Sequence, residues 1–286
     1  MTIHILADSA CDIPKSFFDE NGLTFLPLNV QLDNQEYQDG IAIDSKTIYD
    51  AMRNGAAPKT SQVAPEFFLE TFTELARNNQ QAIYIAFSSQ LSGTYQTAVM
   101  IKEQVMEKYP DFDLEIIDSK CASLGYGLVV KYAVKLAQSG ASKEIIINNI
   151  HFNCQHMEHL FTVENLEYLA RGGRISKASA FFGGLLNIRP LLHVEDGKLV
   201  PLEKLHGKKK LMKRTLELMK ERGVQLDQQT IAISHGDALE SALEWKEAIS
   251  KEFGTTSFEI EMVGSVVGAH AGPGTIAIFF LNKIQE

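Results

Sequence analysis

Short apolar runs alternate with helical patterns through the first half of the chain. Ile3–Ala7, Ala82–Phe87 and Leu114–Ile117 are rich in Ile, Leu and aromatic residues and have the length of buried strands. Each run gives way to Asp and Ser: Asp8-Ser9, Ser88-Ser89 and Asp118-Ser119. Helical patterns such as Glu66–Ala76, Tyr95–Lys108 and Leu128–Ser139 follow. A strand, a Ser/Asp turn and a helix, repeated, predict parallel βαβ units. Pro27–Val30 and Gln35–Gln38 flank Leu32-Asp33-Asn34 and predict a small hairpin or edge excursion.

The grammar changes after a helix running from about Ala141 to His156. Leu160–Val163 reads as a strand, and Asn165–Ala170 as a short helix stopped by Gly172-Gly173. Ser176–Leu186 reads as an apolar helix, its Phe181–Leu186 stretch either core or the lining of a channel. Ile188–Val194 and Lys198–Leu205 flank Glu195-Asp196-Gly197, a hairpin signal. A basic helix, Lys208–Arg222, comes next, then a strand at Thr230–Ser234 and a helix from Asp237 to Phe253. Strands at Ser257–Val263 and Thr275–Leu281 end the series, with a Gly-rich loop between them. The expected class is α/β, with a parallel βαβ domain over residues 1–157 and an α+β domain over 158–286. No Gly/Ser or Pro-rich linker separates them, so the two should pack closely.

The length of 286 residues suits two domains, and 45% hydrophobic with 22% charged residues is ordinary for a globular chain. A net charge of −9 disfavours general nucleic-acid binding. No apolar stretch is long enough to span a bilayer. Met1–Leu6 lacks the basic region and cleavage site of a signal peptide. The three cysteines, Cys11, Cys121 and Cys154, form neither a disulfide framework nor a zinc knuckle, so a reducing cytoplasm is the expected location.

Five segments carry candidate chemistry. Thr60-Ser61-Gln62 reads as a helix start with hydroxyl caps, or as an anion site at that start. Ser88–Thr94 has five Ser, Thr or Gly among seven residues directly after a buried strand. It either caps the next helix or binds a ligand beyond the strand end. In Leu166–Ser176, Arg171 and Arg174 bracket a Gly pair, a basic helix end or an Arg174 that reaches an anion or an acidic partner. Gly264–Gly274 places His270 among glycines and small residues but is neither a P-loop nor a GxGxxG turn. Between Lys204 and Arg214 stand six Lys/Arg and His206 without an acid, a docking patch or a solvated helix face. His151, His156 and His159 lack zinc-helix spacing, and Ser92 lacks a GxSxG elbow.

Together these segments resemble the DegV family of bacterial lipid-binding proteins, the fatty-acid-binding subunits of fatty acid kinase. Thr60-Ser61-Gln62 is similar to the family's Thr-Ser motif, and Ser88–Gln96 to its Ser-Gly-Thr loop. Leu169–Ser176 is similar to its Gly-Gly-Arg-Ile-Ser motif, and Gly268–Gly274 to its His-Gly-Pro-Gly loop. The resemblance spans essentially the whole chain. It implies a tunnel between the domains holding a long-chain fatty acid such as palmitate, stearate or oleate, with no other cofactor and no metal. It implies that Thr60 and Ser92 hold the carboxylate, with Ser61, Gly93 and Thr94 beside them and His270 and Arg174 in the same polar network. It further implies a non-catalytic carrier whose bound acid is turned into acyl phosphate by a separate kinase, as in phospholipid synthesis. Docking would fall to His206, Lys208, Lys209 and Lys210. The chain departs from its relatives at His206, where many carry Arg. The competing reading is a hydrolase with Ser92 as nucleophile and His270 as base; a third is an adaptor acting through the basic patch alone.

Overall fold

Each buried run expected in the first half is a strand of one parallel sheet. The computed structural model describes residues 3–175 and 188–285. The chain begins β1 (His4–Asp8), α1 (Lys15–Asn21), β2 (Thr24–Leu26), β3 (Asn29–Leu32), β4 (Gln35–Gln38) and α2 (Ser45–Arg53). It continues β5 (Lys59–Ser61), α3 (Pro65–Arg77), β6 (Ala82–Ala86), α4 (Thr94–Lys108), β7 (Leu114–Asp118), α5 (Ser123–Gln138) and α6 (Lys143–His156). The second half adds β8 (Met157–Thr162), α7 (Leu166–Arg171), β9 (Ile188–Glu195), β10 (Lys198–His206) and α8 (Lys208–Arg222). Then come β11 (Thr230–His235), α9 (Leu239–Phe253), β12 (Ser257–Met262), α10 (Ser265–Ala271) and β13 (Ile276–Leu281). The apolar helix expected over Ser176–Leu186 lies outside the described residues. No helix among those described is long and apolar enough to cross a membrane.

The parallel sheet has the order β2-β1-β6-β7. β6 is buried at every position, because helices cover both faces of such a sheet and it has no wet side. The chain leaves β1 toward β2 in one direction and β6 toward β7 in the other. The gap between β1 and β6 is therefore a topological switch point, where ligands settle beyond the carboxyl ends of the strands. Asp8 ties that gap together: its carboxylate accepts from the Phe87 amide (2.8 Å) and the Tyr84 hydroxyl (2.7 Å).

The second half builds a six-stranded sheet, β10-β9-β8-β13-β11-β12, in which only β11 and β12 run parallel. Its residues alternate strictly between two cores. Leu160, Leu191, Ile233, Ile278 and Phe280 face α8 and α9. Phe161, Leu192, Ala232, Ala277 and Phe279 face the larger core shared with the first half. Period-two alternation thus makes the sheet a wall with a different neighbour on each side. The absence of a linker is matched by this joint core.

Two readings of the sequence change. Thr60 and its neighbours form β5, the third strand of a small antiparallel sheet β4-β3-β5, and not a helix start. The helix beyond begins only at Pro65, capped by Ala64 without a side-chain hydrogen bond. Likewise, Gly264–Gly274 is mostly the helix α10 and not an open loop. Small residues suit it because it packs tightly: a Cβ on Gly268 would lie 2.5 Å from the Tyr49 hydroxyl.

Candidate functional site

A cavity of about 370 Å³ lies where the two halves meet, within the usual range for small-molecule sites. The carboxyl ends of the parallel strands supply Leu28, Phe87, Leu91, Ala122 and Ser123, and the inner face of the second sheet supplies Phe161, Val194, Leu199, Ala277 and Phe279. α10 adds Val266, Val267 and His270. The described lining is apolar over most of its extent; Thr60, Ser92, Arg174 and His270 converge at one end, while Ser123 and His159 line it elsewhere with their polar atoms bonded to the protein.

At that end Thr60 Oγ1 and His270 Nε2 share a hydrogen bond of 2.8 Å. Strand pairing puts Thr60 opposite Val30 and turns it inward. Ser61 points the other way and donates to Glu36 (2.9 Å). Ser92 shares a 2.8 Å hydrogen bond with Thr94 and accepts from the Thr94 amide at 3.3 Å. Ser92 and Gly93 border the amino end of α4, whose dipole favours an anion. Gly93 sits against Gln62, whose amide nitrogen is occupied by Thr97 (2.7 Å). Arg174 is fixed by donating to the carbonyls of Leu91 (3.0 Å) and Gly172 (2.6 Å).

Burial, reinforced by the Arg174 charge, lowers the His270 pKa to about 4. The imidazole is therefore neutral near neutrality, and Arg174 carries the positive charge. Gly172 permits this arrangement, since a Cβ there would overlap the His270 ring.

α10 itself is held from the first half. Asp39 accepts from the amides of Ser265 (3.0 Å) and Val266 (3.5 Å), and Asp12 from that of Gly264 (2.9 Å). Burial raises the Asp39 carboxyl above its usual range and Asp12 to about 8. Asp12 also accepts from Ser123. These two carboxyls were not among the expected site residues, though they set the position of His270.

Of the expected carboxylate-binding set, Thr60, Ser61, Ser92, Gly93, Arg174 and His270 all line this cavity. Thr94 does not: its hydroxyl is fully buried and spent on Ser92, so it positions Ser92. The proposed Ser92–His270 dyad is not formed, since each side chain has another partner.

The basic run is changed more. Lys208 pairs with Glu244. Arg214 pairs with Glu203 (2.7 Å), Glu221 (3.1 Å) and Glu217 (3.4 Å), and Lys213 with Glu217 (3.9 Å). The fold thus brings acids to a segment that carries none of its own. His206, Lys209 and Lys210 are exposed, and α8 packs on the sheet face turned away from the cavity.

The family model described as "Uncharacterised protein, DegV family" matches residues 2–283. A DegV domain-containing protein of Clostridium perfringens is 40% identical over 285 residues, covering 99% of this chain and 98% of that one. Among solved structures, a fatty-acid-binding DegV family protein from Thermus thermophilus superposes with a TM-score of 0.87 at 29% identity, covering 98% of this chain and 99% of that one. The fatty-acid-binding DegV of Bacillus subtilis gives 0.85 at 29% identity, covering 98% of each chain. A stearic-acid-binding protein from Eubacterium ventriosum gives 0.88 at 25% identity, covering 98% of this chain and 99% of that one.

Proposed function

The chain belongs to the DegV family, and from that premise we propose that it is a carrier of one long-chain fatty acid. The acyl tail occupies the apolar cavity, and the carboxylate sits among Thr60, Ser92, His270 and Arg174. The observation that carries this reading is the polarity of one cavity: mostly apolar along its described lining, with the hydroxyls of Thr60 and Ser92, the neutral His270 imidazole and the Arg174 guanidinium gathered at one end.

The energetics suit that division. Each buried methylene contributes about 0.8 kcal/mol, so a hexadecanoyl tail gains on the order of 10 kcal/mol before ordering costs. The head group fixes direction, because a carboxylate buried without partners would be strongly disfavoured. Thr60 and Ser92 donate hydroxyls, and Arg174 supplies charge.

The carrier then presents the carboxylate to a separate fatty acid kinase, which provides ATP and forms the acyl phosphate. Support for this step is the family resemblance, together with the exposure of Ser61 and Gly93 at the polar end. That exposure leaves the head group near the surface. Docking would use His206, Lys209 and Lys210, with Lys208 held by Glu244. A hydrolase fits less well. Ser92 and His270 are bonded elsewhere, and the charged group acting on His270 is Arg174, where a base would need an orienting carboxylate.

Titrating delipidated protein with hexadecanoate and with hexadecanol tests the carrier reading. Saturable binding of the acid, with the alcohol weaker, is the expected result. Absence of binding to either would refute it.

A further inference from the structure

A second cavity, of about 450 Å³, lies against the first. Its lining is polar and includes Asp118, Lys120, His151, Glu158 and Asp196. His159 and Val194 line both cavities, so these two residues stand between an apolar space and a polar one.

His159 is built into the wall between them. It is buried, and its ring meets Phe279 edge-on at 5.2 Å and 86°. Nε2 accepts from the Ala122 amide at 3.3 Å. Nδ1 must then carry the proton, and it lies 3.1 Å from the Met157 carbonyl. Both nitrogens are satisfied by the backbone of two different elements, so the ring presents only carbon and an occupied edge. Burial lowers its pKa to about 4, so it stays uncharged in the wall. Gly125 makes room for the pair: a Cβ there would lie 2.6 Å from both His159 Nε2 and Phe279 Cδ1.

The pair also stands far from the polar end. Thr275, Ala277 and Phe279 line the cavity as alternate residues of one extended segment. The Thr275 hydroxyl donates to the carbonyls of Ala271 and Gly272, just beyond His270. Four residues at about 3.3 Å each place Phe279 about 13 Å further along. Phe279 is paired in register with His159.

We propose that His159 and Phe279 are the stop that fixes how long, and how apolar at its far end, an acyl chain this protein accepts. The inference rests on the fatty-acid reading of the same cavity. A chain that outgrows the stop, or ends in a hydroxyl, meets a pair whose ring nitrogens are already bonded to the backbone and which offers it no hydrogen-bonding partner. Opening the wall joins the tail end to the polar cavity.

The test is a competition assay on the full chain with dodecanoate, hexadecanoate, icosanoate and ω-hydroxyhexadecanoate. Wild type should prefer hexadecanoate to the last two. His159→Ala should shrink that preference by roughly tenfold or more, the scale on which an apolar pocket resolves a methylene or two. Val194→Ala, a milder breach of the same wall, should move it in the same direction and covers the case in which His159→Ala does not fold. Gly125→Ala should push the pair into the cavity and favour dodecanoate over hexadecanoate. If folded wall variants bind hexadecanoate but keep the wild-type profile, the stop is overturned and the carrier reading stands. Should wild type bind none of the acids, the carrier reading fails and the stop with it.

Discussion

Thr60 and His270 are separated by 210 positions, yet their side chains share a 2.8 Å hydrogen bond at the polar end of the cavity. One comes from a short strand of the first half and the other from a helix of the second. A carboxylate bound beside this pair would therefore touch both halves of the molecule. Replacing Thr60 and Ser92 by Ala should cost affinity on the scale of a hydrogen bond to a charged group, about 1.5–3 kcal/mol in all if the tail compensates by shifting. Phosphorylation of the bound acid by a partner kinase should fall further than affinity does, since the tail still binds while the head group is misplaced. Calorimetry and acyl-phosphate production measured side by side would separate the two.

Gly172→Ala probes the same end without removing a polar group. The residue has φ −72°, so alanine brings no backbone strain. The new methyl would overlap the His270 ring and force it off Thr60. Head-group-dependent phosphorylation should drop about as far as in Thr60→Ala. Equal phosphorylation by Gly172→Ala and wild type would show that the His270 position is unimportant.

Stability should fall as pH rises from about 7 to 8. Below that window two effects oppose each other. Asp8, raised to about 6, and Asp12, raised to about 8, bind more protons folded than unfolded, so they favour the native state at low pH. His159 and His270, lowered to about 4, bind fewer protons folded, so their contribution grows until the ordinary histidine value of 6.5 is passed. Above about pH 7 His159 and His270, like His4, His193 and His235, whose values are also lowered by burial, have little left to contribute, and ionising Asp12 in its buried site dominates. The decline should be about 1 kcal/mol or less. It should largely vanish in Asp12→Asn, as read from urea midpoints across pH.

The basic segment should affect docking and not ligand affinity. Changing Lys209 and Lys210 to Glu should leave hexadecanoate binding within about twofold, because α8 lies across the sheet from the cavity. Phosphorylation by the partner should slow, most sharply at low salt, where unscreened attraction speeds encounter. A rate equal to wild type across a salt series would make the segment a solvated face.

The strands of the parallel sheet were legible because each is a continuous apolar run buried on both faces, as β6 is. The β9–β10 hairpin was legible from Asp196-Gly197, both at positive φ in the turn. Ser92 could be picked out because a Ser/Gly turn follows a buried strand. What was not legible is long-range. α10 looked like a loop because Gly, Ser, His and two β-branched Val leave its seven residues little helical signal, and the amides at its start are paired by Asp39 and Asp12, which lie 226 and 252 positions earlier. β5 is three residues long and exists by pairing with β3. Its Thr60 therefore resembled a helix cap when read locally. The acids that neutralise the basic segment include Glu244, 36 residues beyond Lys208.

Native mass spectrometry of the freshly purified chain, followed by denaturation and lipid extraction, tests the central claim most directly. The account predicts one mass increment per chain equal to a long-chain fatty acid, lost on delipidation and regained with added hexadecanoate. A clean apo mass that gains nothing on incubation with fatty acids would contradict it.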